Sequence, residues 1–189
     1  RYYYNYAYER TAYSKGAVFL GQLSYIVGKE KVFEILQTYY NEWKFKHPLP
    51  NDLRRIAERI SGIQLQWFLT DWTQTTNKIN YSIAAVEESA DGTAIRLKRK
   101  EVMPMPLEIL IQYKNGEVEL HYIPISLMRG EKENPYGLEW KIQPDWPWAN
   151  LNYSFTVDKE KNQIEAIVID PSNLMADIDK TDNFYVAPK

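Results

Sequence analysis

Apolar residues recur three or four positions apart in the first part of the chain and at every second position in the rest. From Tyr13 to Gly28 the run YSKGAVFLGQLSYIVG sets Ala17, Leu20, Leu23 and Val27 on one helical face, and Gly28 is placed to end it in a left-handed cap. A second helix from Lys29 carries Val32, Leu36, Tyr40 and Trp43. It stops before His47, because Pro48 drives its predecessor out of the helical region. NDLRRIAERISG predicts a third helix, capped by Asn51 or Asp52, with Leu53, Ile56, Ala57 and Ile60 inward and Gly62 as its end. A short fourth holds Leu65, Phe68, Leu69 and Trp72. Amphipathic helices of this kind require a partner surface.

Near residue 78 the period changes to two. Tyr81, Ile83 and Ala85 point to one side of a strand, and Ile95 and Leu97 oppose Ala94, Arg96 and Lys98 in the next. LEILIQYKNGEVELHYI predicts a hairpin over Asn115-Gly116, a dipeptide that accepts positive φ twice. A second hairpin is predicted from Asn152 to Ile169, turning over residues 158–162, and a further strand over Leu138 to Ile142. Eight of the ten prolines fall in this half, where strands begin or end. The fold class is therefore α+β: a helical lobe over residues 1–78, then an antiparallel β-sandwich of six or seven strands over 79–189.

Charge adds one distinction. The chain has 189 residues and a net charge of −2, but the helical lobe carries +4 and the strand-rich part −6. This balance excludes a generally basic nucleic-acid binder, and the 44% hydrophobic content argues against disorder. No apolar run reaches the roughly 20 residues of a membrane-spanning helix. The first residue is Arg1, so a piece of a longer chain is expected.

Most catalytic chemistries have nothing to build on. There is no cysteine, so disulfides, thiolate nucleophiles and Cys-ligated metals are out. The two histidines, His47 and His121, lie in different halves; His47 reads as helix-terminal and His121 as a surface or cross-strand residue. No HExxH, GxSxG, Walker or GxGxxG pattern occurs, and no metal ligand is assigned. Glu87 and Glu88 are adjacent on a strand and face opposite sides; RLKRKE is a solvated strand. Two aromatic features are left. Tyr2, Tyr3, Tyr4, Tyr6, Tyr8 and Tyr13 crowd the first 13 residues, and Trp146 and Trp148 share a loop. A phenol packs well, and it can also donate a hydrogen bond to a developing oxyanion.

Tyr13-Ser14-Lys15-Gly16 with the helix AVFLGQLSYIVG resembles the Tyr-x-Lys-Gly helix of the aminopeptidase N family of zinc metallopeptidases, gluzincins that include leukotriene hydrolase. VGKEKVFEILQTYYNEWKFKHPLPNDL and ERISGIQLQWFLTDW resemble the segments that follow it, in order and spacing, over residues 8 to 81. MPLEILIQYKNG and IVIDPSNLMADID resemble parts of the β-sandwich after the catalytic domain. The resemblance implies that residues 1–78 end a gluzincin catalytic domain and that the parent protein is a zinc-dependent metallo-aminopeptidase, a hydrolase acting on peptides. In that family zinc and a Glu base activate water, and a Tyr hydroxyl helps hold the tetrahedral oxyanion. Tyr13 takes that place here, and Tyr8 matches a second tyrosine near substrate in some relatives. Lys15 and Gly16 match residues that orient and pack the helix, whereas Ser14 stands where Glu is common.

The family's HExxH, its downstream Glu ligand and its substrate-binding motif precede this segment and are not among these residues. The resemblance thus places zinc in the parent, with ligands upstream, and implies neither zinc nor peptidase activity for these 189 residues alone. Its implied partner is the N-terminal part of its own chain. Two other readings stand beside it. One is a non-catalytic β-sandwich binding module in which Trp146 and Trp148 stack on peptide or carbohydrate. The other is a scaffold that has lost the zinc motif.

Overall fold

The computed structural model describes residues 4–188. Tyr2 and Tyr3 of the tyrosine cluster lie outside the described residues. The chain forms two compact units. One runs to Thr75 and takes in two returning pieces, Gly130–Glu133 and Leu174–Ala176; the other holds Thr76–Arg129, Asn134–Asn173 and the residues from Asp177 onward.

In the helical unit, α1 (Asn5–Tyr8), a π-helix (Glu9–Lys15) and α2 (Gly16–Val27) run on without a break, since the joining residues keep right-handed helical angles. Gly28 then turns the chain into α3 (Lys29–Trp43). Its φ of 92° and ψ of 149° are the mirror-extended form open to glycine, not the predicted left-handed cap. α4 (Pro50–Ser61) and α5 (Gln66–Gln74) follow. α4 starts earlier than expected. Proline's fixed φ suits the first helical position, so Leu49 occupies the cap and Asp52 serves from inside, accepting the Leu49 N–H at 2.8 Å. Gly62 ends α4 in the left-handed region, as predicted.

The core of this unit is built from Leu23, Ile26, Val27, Ile35, Ile56, Leu65 and Phe68, with Phe19 stacked on Phe68 at 4.9 Å. The predicted stripes are rotated in two helices. α2 leaves Ala17 exposed, and α3 buries Val32 and Ile35 while Tyr40 faces out. A ring's polar tip makes exposure of Tyr40 cheap, so Ile35 takes the inward place.

Among the described residues the other unit contains eight strands in two sheets. β1 (Tyr81–Ser89), β2 (Gly92–Arg99) and β6 (Asn152–Val157) form an antiparallel sheet in the order β1-β2-β6. β3 (Leu107–Tyr113), β4 (Val118–Ile123), β5 (Trp140–Ile142), β7 (Ile164–Ile169) and β8 (Phe184–Val186) form a second in the order β5-β4-β3-β7-β8. β4 and β5 pair in parallel, an exception to the antiparallel expectation. His121 of β4 contacts Phe155 of β6, ring centres 4.9 Å apart, so the sheets meet across an interior that includes Ile95, Leu97, Ile109 and Ile111.

Four details depart from the sequence reading. A bulge at Ala84 breaks the alternation of β1, so that Val86 is buried while Ala85 is only half-buried. The β3–β4 turn uses positive φ at Gly116 (86°) but not at Asn115. Gly116 N–H reaches the Tyr113 carbonyl and Tyr113 N–H the Glu117 carbonyl, both at 2.9 Å; this is a three-residue loop with a bulge, not a two-residue primed turn. Residues 152–169 are not a hairpin: β6 pairs β2, β7 pairs β3 and β8, and the 158–162 segment arches from one sheet to the other. His121, read as a surface or cross-strand residue, is not at the surface: it is buried and pairs with Ile109 across the sheet.

Candidate functional site

Tyr8 and Tyr13 are five residues apart. In an α-helix a step of about 100° per residue would put them roughly 140° apart on the cylinder. The π-helix over Glu9–Lys15 bonds i to i+5 and so brings residues five apart onto one side. Their rings accordingly meet edge to face, centres 5.6 Å apart at 85°. Tyr13 is 65% exposed and Tyr8 44%, and neither α1 nor the π-helix buries a side chain. Arg10 lies over the Tyr6 ring at 5.1 Å. This is a solvent-facing phenol pair on a widened helical turn, able to donate hydrogen bonds and to present ring surface. Nothing in the residue types marks a π-turn, so the sequence singled out Tyr13 and Tyr8 but not the geometry that joins them.

Gly16 follows directly. A Cβ built there would meet nothing within 4 Å, so no neighbour among the described residues demands glycine, and the packing implied for it has no partner here. Lys15 is half-buried at the last position of the π-helix, inside the continuous helix that runs on into α2.

Among the described residues no group of three His, Cys, Asp or Glu side chains could hold a metal ion. His47 is exposed beyond the end of α3. His121 is occupied elsewhere: its Nδ1 faces the Gln143 amide at 3.0 Å and its Nε2 lies 3.5 Å from Glu119. The residues present do not fit a zinc centre.

No protein-family model matches the chain. It is 30% identical to the aminopeptidase N of Streptomyces lividans over 97 residues, which are 51% of this chain. It spans only 11% of that enzyme's length. The relationship is distant and aminopeptidase-like.

That likeness bears on peptidase and hydrolase character and leaves the other predicted features to be judged by geometry. Trp146 is buried, stacked on Tyr153 at 5.1 Å and edge-on to Tyr81 at 5.5 Å, with its indole N–H donated to the Asn150 carbonyl at 2.9 Å. It is a packing plug with no face left for a ligand. Trp148 is about half exposed by itself, so the two indoles do not form a stacking platform. No helix among the described residues is long and apolar enough to cross a membrane.

A polar cluster that sequence reasoning missed lies inside the sandwich. Glu119 receives Tyr113 Oη at 2.5 Å and the Lys141 ammonium, and faces His121. Burial would raise the Glu119 carboxyl, but these donors more than offset it and hold it below the usual range. Burial also pushes the His121 imidazole down, against the pull of Glu119. With His121 only 2% exposed, no substrate reaches it, and the cluster ties β3, β4 and β5 together. The signal was present in the alternation: Glu119 and His121 share a face with the positions opposite Ile111 and Ile109.

Proposed function

We propose that this chain is the C-terminal part of a zinc-dependent aminopeptidase-like peptidase, with residues 1–78 closing the catalytic domain and 79–189 forming a β-sandwich. The zinc ligands and the Glu base belong to a preceding part of the parent, which also meets the exposed aromatic side of the helical unit. Peptide is the substrate. Tyr13 donates its phenolic hydrogen to the oxyanion that develops as the scissile carbonyl becomes tetrahedral, and Tyr8 lies beside the bound substrate.

The observation that carries this reading is the edge-to-face pairing of two exposed phenols on a π-turn, within the Tyr-x-Lys-Gly frame. The Tyr13 side chain is 65% exposed, so its hydroxyl can meet a reacting group. Gly16, bare of neighbours, leaves room for close approach of another backbone. The distant likeness to an aminopeptidase N supports the reaction class.

Tyr13→Phe in the full-length parent tests it. The change keeps the ring and its contact with Tyr8 and removes one donor. Loss of an oxyanion donor costs about 2.7–4 kcal/mol, or roughly 100- to 1,000-fold in turnover. The Michaelis constant should move far less, because the bond strengthens only in the transition state. The melting temperature should hold, since the ring is largely solvent-facing. Near-normal turnover in the Phe variant would remove Tyr13 from the mechanism.

A further inference from the structure

Among the described residues no side chain of α1 or the π-helix is buried, so little beneath them fixes where the Tyr8–Tyr13 pair stands. Its position is inherited from α2, with which both run as one helix. α2 is held partly by Phe19, Leu23 and Ile26, whose apolar contacts are non-directional and set neither rotation nor height sharply.

Gln22 is different. Its side chain is 2% exposed, its Nε2 donates to the Leu174 carbonyl at 2.8 Å, and its Oε1 accepts the Ala176 N–H at 3.0 Å. One amide thus brackets a stretch of backbone as a neighbouring strand would. A buried amide is costly unless both ends are satisfied, and here both are. Three residues on, and so on the same side of α2, the Tyr25 carbonyl accepts a hydrogen bond from the Lys132 ammonium at 2.8 Å; the ammonium also lies 4.7 Å from the centre of the Tyr25 ring. A cation there also complements the negative end of the helix. Both anchors come from remote pieces of chain, Gly130–Glu133 and Leu174–Ala176, that fold into the helical unit.

We infer that Gln22 is a positioning residue for Tyr13, with Lys132 completing the hold: together they set the rotation and height of α2 and hence the place of the phenol. The inference rests on the reading of Tyr13 as an oxyanion donor. Displacement of a reacting group by about 1 Å can cost on the order of 100-fold in rate.

The test is made in the full-length parent with an aminoacyl reporter substrate. Gln22→Met keeps the length of the side chain and removes both bonds. Turnover should fall by about 10- to 100-fold with little change in KM. The double variant Tyr13→Phe/Gln22→Met should match Tyr13→Phe alone, because Gln22 acts only through that hydroxyl. Gln22→Glu supplies a second readout: a protonated acid donates and accepts as the amide does, whereas a carboxylate only accepts. Its turnover relative to the unaltered protein should therefore recover as pH falls. Normal turnover of Gln22→Met beside an impaired Tyr13→Phe would overturn the positioning role and leave Tyr13 in place. Losses that multiply in the double variant would also overturn it. If Gln22→Met does not fold, a flat pH ratio for Gln22→Glu does the same. An unimpaired Tyr13→Phe would remove both readings together.

Discussion

The two units divide their tyrosines differently. In the sheet unit Tyr81, Tyr113, Tyr122 and Trp146 are buried, and the hydroxyl of Tyr81 both donates to the Met105 carbonyl at 3.1 Å and accepts the Met105 N–H at 2.7 Å. In the helical unit Tyr4, Tyr6, Tyr8, Tyr13 and Tyr40 are exposed, as are Phe33 and Phe45. The helical unit does pack some aromatics, Tyr25, Trp67 and Phe68 among them, and the sheet unit exposes Trp148 and Phe184, but the crowd of presented tyrosines belongs to the helices. Aromatic richness in a sequence is thus not one signal. Whether a ring packs or presents itself depends on the face that carries it: Tyr25 and Phe68 lie on covered helix faces, whereas α1 and the π-helix bury no side chain.

The largest expected effect breaks this contrast in the sheet unit. Trp146→Ala removes a buried indole and its contacts with Tyr81 and Tyr153, which should cost about 3–5 kcal/mol in a denaturant titration. A loss as small as that of an exposed ring would mean that the sheet unit does not depend on its aromatic plug. Tyr81→Phe is subtler. It leaves the ring and strips the Met105 backbone of both partners, so a loss of about 1–3 kcal/mol is expected from chemical denaturation.

His121 sharpens the comparison through pH. Burial lowers its folded value, so the unfolded chain binds the proton more readily. Stability should be flat above the ordinary imidazole value of about 6.5 and fall as pH drops below it. Glu119, Lys141 and Gln143 face the ring, and Glu119 moderates the loss without cancelling it. Melting curves between pH 8 and pH 5, compared with those of His121→Gln, isolate this part; an equal acid loss in both would assign it to other groups. The smallest effect belongs to the helical unit. Phe45 is 99% exposed with a φ of 64°, and asparagine tolerates that left-handed conformation. Phe45→Asn should leave the melting temperature of the chain within the equivalent of about 0.5 kcal/mol. A marked loss would show that an exposed aromatic here carries structure after all.

Some of this was legible along the chain. Gly62 marked a helix end because glycine accepts the left-handed conformation there, α3 stopped at Trp43, short of the limit that Pro48 sets, and the change of period near residue 78 separated helices from strands. Asp52 was recognised as a capping residue but misplaced, because Pro50 claims the first helical position. Asn115 kept a negative φ because the loop has three residues, a length that the dipeptide does not encode. The arch over 158–162 resembled a hairpin turn because local turn chemistry says nothing about which strand is the partner. At the candidate site, Tyr13 and Tyr8 were named from a motif, while the π-turn that pairs them has no residue signature. Gln22 escaped notice for another reason: its partners are more than 150 positions away, on backbone groups.

The arch has a kinetic corollary. Because β6 and β7 do not pair with each other, β6 must find β2 and β7 must find β3, joining Ile95 to Phe155 and Ile109 to Ile169. Each pairing closes a loop of about sixty residues before any ladder bond rewards it. The β3–β4 hairpin can form early, but its outer edge and the inner faces of both sheets wait for a chain segment synthesised much later. Refolding of the sheet unit is therefore limited by topology, and its apolar strands stay available for pairing with other molecules until residues 152–169 arrive.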